Sequence, residues 1–182
     1  MKKKGMGVGQ VFIYIISGLT FALIMIFGYK AINSFLISGE QVEFIEFKNE
    51  LESSVKKIYS EFGAVRELTF YPPSSYERIC FVNMDKEPLD GEMDDLCKKS
   101  SAACDTWKDV QNLDDGIDRL ESVDENVFLV PTAPHKIKVF RITIFNITSN
   151  EQMGFWCSPI DEGSFSIVLE GKGDHTEISP AE

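Results

Sequence analysis

The residues of this chain best suited to chemistry are four cysteines, Cys80, Cys97, Cys104 and Cys157. An even number of cysteines in a compartment outside the cytosol favours disulfides. Three pairings are possible. The favoured one joins Cys97 to Cys104, close together in an acidic segment, and Cys80 to Cys157, each inside a strand candidate. Metal binding fares worse as an explanation. The cysteines are separated by 16, 6 and 52 residues, which fits no standard zinc spacing, and there is no C-x2-C. His135 and His175 are isolated, so no metal ligand is assigned. Two carboxylate-rich runs, Asp90-Gly91-Glu92-Met93-Asp94-Asp95 and Asp114-Asp115-Gly116-Ile117-Asp118, invite a calcium reading. Neither fits an EF-hand loop, because Gly91 or Gly116 at the sixth position would put Lys86 or Gln111 at the first. They read as a solvated acidic face. No nucleophile elbow, P-loop, metalloprotease or dinucleotide motif is present. No catalytic residue, cofactor-binding residue or cofactor is assigned, and the chain is expected not to be an enzyme.

The elements that must position these residues divide the chain by charge. It has 182 residues with 18 Lys+Arg against 29 Asp+Glu, a formal net charge of −11. Residues 1–39 carry only Lys2, Lys3, Lys4 and Lys30, whereas residues 40–182 sum to −15. An acidic body argues against nucleic acid as a partner. With 14 Phe, 5 Tyr and 2 Trp, the chain has enough large apolar side chains to fill a core.

Val11 to Tyr29 is free of charge. As a helix it spans roughly 28 Å, about the thickness of the hydrocarbon layer of a bilayer. A buried core helix is seldom so long without a charge, and the h-region of a cleaved secretory signal is shorter. The reading is therefore a transmembrane helix over 11–29 that stays on the chain. The basic residues of 1–10 hold that end in the cytoplasm and leave the C-terminal body outside. Lys30 reaches back to the headgroups, and Tyr14 and Tyr29 suit the two interfaces. Gly18 and Ala22 form a small-xxx-small pair through which a neighbouring helix, of the same or another chain, could pack.

Residues 30–63 continue as an amphipathic stalk with a stripe of Val42, Ile45, Leu51, Val55, Ile58, Tyr59 and Phe62. This is either one helix from about residue 8 to 62 or two helices hinged near Gly39, with Gly63 as the stop. Residues 64–172 read as a β-rich head. Strand candidates are 66–71, 77–84 (Ile79 and Phe81 on one face, Cys80 and Val82 on the other), 126–130 and 136–146, the longest. Residues 155–160 and 164–170 suggest a hairpin around Asp161-Glu162-Gly163. Between the second and third strands, 85–125 is loop with one or two short helices, chiefly 102–113. Residues 173–182 form a polar tail expected to fray. The fold class is α+β: a long N-terminal helix, then a small antiparallel β-rich head with disulfides. Asn146-Ile147-Thr148 is a glycosylation sequon, which supports an outside location weakly.

Lys2-Lys3-Lys4-Gly5, followed by Met6 and the apolar helix, resembles the class III signal of type IV pilin-like proteins. That resemblance implies a leader cut after Gly5, with Met6 as the new N-terminus and Gln10 at the fifth mature position. The family usually has Glu at that position, where it is thought to assist filament assembly. Cutting after Gly9 would instead leave Gln10 first, as in archaeal pilins, but without a nearby basic residue. The match covers about 30 residues. A long helix bearing a disulfide-tied head is pilin-like by fold analogy. The stretches ERICFVNM, NVFLVP and FWCSPIDEGSFSIVLEGKGD are similar to uncharacterised membrane-anchored proteins of uncultured archaea, which implies location and architecture only.

The expected role is that of a non-enzymatic, single-pass cell-surface protein held in the lipid bilayer. The pilin resemblance implies a minor filament subunit. The alternative is an accessory subunit of a membrane complex, bound through Gly18, Ala22 and the 42–62 stripe.

Overall fold

The computed structural model describes residues 8–113, 116–147 and 149–181, and the side chains of all of these except 8–10 and 33–38. Gly5 and Met6 lie outside the described residues, as does the side chain of Gln10. The chain divides between Val42 and Glu43 into two compact units.

Helix α1, Val8–Tyr59, is continuous through Gly39. Its first unit carries the apolar run. In the second unit its buried residues are Phe44, Phe47, Leu51, Val55 and Ile58, spaced three and four apart as one helical face requires. The expected stripe is corrected at three positions. Val42, Ile45 and Phe62 are 55%, 49% and 81% exposed. Val42 precedes Leu51 by nine residues, about half a turn round the helix, so it points away from the face that Phe44 and Phe47 occupy.

The remainder of the second unit is eight strands and two short helices. They are β1 (Val65–Phe70), β2 (Arg78–Val82), α2 (Glu92–Lys99), α3 (Ser101–Gln111), β3 (Val127–Val130), β4 (Ile142–Asn146), β5 (Glu151–Met153), β6 (Phe155–Pro159), β7 (Phe165–Gly171) and β8 (Thr176–Pro180). A five-stranded sheet runs β1-β7-β8-β4-β5 and a three-stranded sheet β3-β2-β6. All pairs are antiparallel except β4 with β8.

Two apolar layers result. Phe44 to Ile58 of α1, the inner face of the five-stranded sheet (Ile142, Ile144, Phe165, Ile167, Leu169, Ile178) and one face of the three-stranded sheet (Ile79, Phe81, Val127, Leu129) share a core. The opposite face of the small sheet, with Cys80, Val82 and Phe128, packs on Leu96, Cys104, Trp107 and Val110 of α2 and α3. The small sheet is thus covered on both sides, and for that reason its strands read as continuous apolar runs.

Three further expectations are corrected. The polar tail instead contains β8, which lies between β7 and β4 with Thr176 and Ile178 fully buried. The Thr176 hydroxyl donates to the Val55 carbonyl (3.1 Å). The long strand over 136–146 begins only at Ile142, because buried Asn126 captures the preceding backbone. Its Oδ1 accepts from Val139 N (2.8 Å), its Nδ2 donates to Val139 O (3.2 Å), and Asn126 N and Val127 N both donate to Ile137 O. Residues 155–160 and 164–170 do not pair as a hairpin. β6 pairs with β2 and β7 with β1 and β8, so the Asp161–Ser164 turn carries the chain from one sheet to the other.

The end of α1 is seated on β7 at Gly171. Its amide donates to Ala64 O (2.9 Å) and its carbonyl accepts from Gly63 N (2.7 Å). A Cβ at Gly171 would collide with the Ile58 and Glu61 carbonyls. Backbone atoms cannot give way as a side-chain tip can. Gly171→Ala should therefore destabilise the head by about 2 kcal/mol or more, read as a lowered urea midpoint of the full chain in detergent. An unchanged midpoint would contradict this seat.

Candidate functional site

Val11–Ile32 is the one segment among the described residues long and apolar enough to cross a membrane, with a mean hydropathy of 2.4. None of its side chains is buried by the protein; Tyr14, Phe21 and Phe27 are each about two-thirds exposed. Water-exposed apolar surface on that scale is foreign to a soluble monomer. Within the run Thr20 Oγ1 donates to Ile16 O (2.6 Å). A Cβ at Gly18 would meet open space, and Ala22 is exposed.

In the head, the cysteines pair as Cys80–Cys157 and Cys97–Cys104. Cys80 and Cys157 are directly opposite on β2 and β6, where the side chains of neighbouring strands come closest. The other bridge joins α2 to α3. Both belong to the same apolar layer as Trp107. Trp107 is fully buried, and its Nε1 donates to Lys86 O (3.3 Å). Its ring occupies the space that a side chain at position 154 would need, which fixes glycine there.

The acidic run at 90–95 is partly structural. Glu92 accepts from Gly154 N (2.9 Å) with one carboxylate oxygen and from Leu89 N (2.8 Å) with the other. This use of Glu92 leaves no signal in the sequence beyond its place at a helix start.

Two clefts flank α2 and α3. One, of about 500 Å³, is lined by Asp94, Asp95, Lys98, Lys99 and Phe155. Lys98 pairs with Asp95 there (3.3 Å), and Lys99 lies over the Phe155 ring, 5.1 Å from its centre. The other, of about 280 Å³, is lined by Asp109, Ser122, Asp124, Glu125 and Lys136. Partial burial raises the Glu125 carboxyl, although Lys136 pulls the other way. The hydrogen bond from Lys136 to Asp124 (3.0 Å) raises the ammonium.

The histidines lie apart from each other. His135 packs on the Phe44 ring (5.8 Å), whereas His175 Nδ1 meets Asp174 (2.6 Å) and holds that carboxyl below its usual range. Among the described residues no three metal-capable side chains cluster. Asn146 ends β4, with Oδ1 accepting from Ser149 N (3.3 Å) and Nδ2 beside the Met153 sulfur (3.8 Å); Thr148 lies outside the described residues. No protein family matches the chain, and no curated protein or solved structure matches it.

Two measurements follow. The Cys80–Cys157 bridge spans a sequence separation of 77 and the Cys97–Cys104 bridge one of 7. Chain entropy then assigns them about 4.5 and about 2.5 kcal/mol respectively. The denaturant midpoint should fall further for Cys80→Ala/Cys157→Ala than for Cys97→Ala/Cys104→Ala; the reverse order would contradict that ranking. For Glu125, a raised folded-state value means that the native head binds the proton more tightly than the unfolded chain does. Its ionisation therefore opposes folding at neutral pH. Glu125→Gln should raise the melting temperature at pH 7, and the gain should vanish as the pH falls through the ordinary carboxylate range. A loss at pH 7 would show that the pairing with Lys136 outweighs burial.

Proposed function

We propose that this chain is a non-enzymatic, single-pass membrane protein of the cell surface, with its basic N-terminus in the cytoplasm and its disulfide-tied head outside. The observation that carries the reading is the contrast between the two units. Residues 11–32 leave every side chain unpacked, whereas residues 43–182 enclose their own core. Lys2, Lys3 and Lys4 support the orientation by the positive-inside rule. Two disulfides support an oxidising compartment for the head. The anchor requires the lipid bilayer as its partner and no nucleic acid.

Within this reading the chain is a minor pilin-like subunit, made by cleavage after Gly5, in which the apolar helix serves first membrane residence and then packing with other subunits. The support is the leader-like sequence ahead of the helix, together with the helix-then-head order. The accessory-subunit alternative loses part of its basis. Leu51, Val55 and Ile58 of the 42–62 stripe face the head's own core, which leaves Gly18 and Ala22 and the exposed Val42, Ile45 and Phe62 to contact a partner.

N-terminal sequencing of native protein separates these. A chain beginning at Met6 is the expected result for the pilin-like subunit. A chain beginning at Met1 that co-purifies in detergent with a fixed partner would overturn it in favour of the accessory subunit.

A further inference from the structure

The larger cleft beside α2 follows an edge strand. β6 stands at the end of the three-stranded sheet, with β2 on one side. Its pairing phase is set at both ends: Asn83 N donates to Gly154 O (2.8 Å), and Ile160 N to Glu77 O (2.9 Å). Backbone groups alternate in direction along an antiparallel strand. Those of Trp156 and Ser158 therefore face β2, and those of Phe155 and Cys157 face the open edge. Among the described residues no backbone partner meets the amide or carbonyl of Phe155 or Cys157. The cleft is lined by Phe155, Trp156 and Cys157 in succession, although Phe155 and Cys157 belong to the layer under α2 and Trp156 to the other core. A cleft that meets all three lies along the edge of the strand.

The second wall is α2, which runs in the same direction as β6. Its first residue, Glu92, accepts from Gly154 N (2.9 Å), just ahead of β6. The carbonyl of its last residue, Lys99, accepts from Arg78 Nη1 (3.4 Å), and Arg78 is opposite Pro159 at the far end of β6. Eight helical residues extend about 12 Å and five strand residues about 16 Å, so helix and strand are matched in length. All of these contacts lie within residues 43–182. A helix alongside a free strand edge makes a groove that an extended peptide enters as an added strand. The edge supplies main-chain hydrogen bonds, and the walls read alternate side chains.

We propose that this groove takes a short, extended, basic segment of a partner protein as a fourth strand of the small sheet. Charge selects the occupant. The cleft presents Asp90, Glu92, Asp94 and Asp95 against two lysines. Lys98 is engaged by Asp95 and Lys99 by the Phe155 ring, while Glu92 is held by Gly154 and Leu89. Asp90 and Asp94 are exposed and have no ion-pair partner among the described residues. Residues 40–182 carry a net charge of −15, which repels an acidic segment and a second copy of the head alike. On an added strand, side chains opposite Phe155 and Cys157 project to the side of α2, and those opposite Trp156 to the other side. The first set is therefore basic, to meet Asp90 and Asp94, and the second apolar, to lie beside the Trp156 ring. Pro159 has no N–H to offer and ends the ladder.

The test titrates the isotope-labelled full chain, in a nonionic detergent, with the synthetic peptide acetyl-KVKVKV-amide. Amide signals of Phe155, Trp156 and Cys157 should shift saturably, and hydrogen exchange at the Cys157 amide should slow. The acidic peptide acetyl-EVEVEV-amide, and the basic peptide with an N-methylated backbone, should leave those signals in place. Asp90→Asn/Asp94→Asn should weaken binding about fivefold, while the other amide signals keep their positions and so report an intact head. Shifts that the acidic or the N-methylated peptide reproduces would overturn the proposal. So would unmoved signals at 155–157, or a response confined to β1, an edge strand of the larger sheet.

Discussion

A helix whose side chains find no partner in their own protein has to find one elsewhere, and the rest of the molecule is arranged around that constraint. From Val11 to Tyr29 no charged residue interrupts α1, and the described side chains of this run are exposed throughout. In water such a surface would drive aggregation. In hydrocarbon it is matched along the length of the span, with the backbone satisfied by the helix itself. Beyond Val42 the helix buries Phe44, Phe47, Leu51, Val55 and Ile58 in a protein core. Along α1 the sequence therefore switches from all-round apolar to a single apolar face.

The head, residues 43–182, encloses its own core. Its small sheet is buried on both faces, and its larger sheet closes over α1. The disulfides sit in the layer where α2 and α3 cover the small sheet. This layer has much less to bury than the first. Two covalent ties and the fully buried Trp107 hold a pair of short helices, of eight and eleven residues, which would be marginal alone.

The legible parts of the fold were those with strong periodicity or composition. The charge-free run, the alternation of Ile79 and Phe81 against Cys80 and Val82, the disulfide partners and the short apolar strands all follow from residue type and spacing. What failed was governed by single long-range contacts. β8 has only Ile178 as a large apolar residue in the strand, so its central place depends on β7, β4 and the carbonyl of Val55 rather than on its own pattern. Ile137 and Val139 look like strand residues and are buried like them, yet the side chain of Asn126 holds their backbone. The stripe on α1 was misplaced near its start because several apolar residues, Val42 and Ile45 among them, compete there for one face. At the site level, the placement of Lys99 over the Phe155 ring and the double use of Glu92 are matters of tertiary placement, invisible to a reading by motif.

The account stands or falls on where the two units reside. Its most direct test is flotation of native extracts in alkaline carbonate, coupled to protease treatment of intact cells. The account predicts that the full chain floats with lipid, that the head is cut from outside, and that all four cysteines resist alkylation until a reductant is added. A chain left in the soluble fraction, protected from external protease and with free thiols, would contradict it.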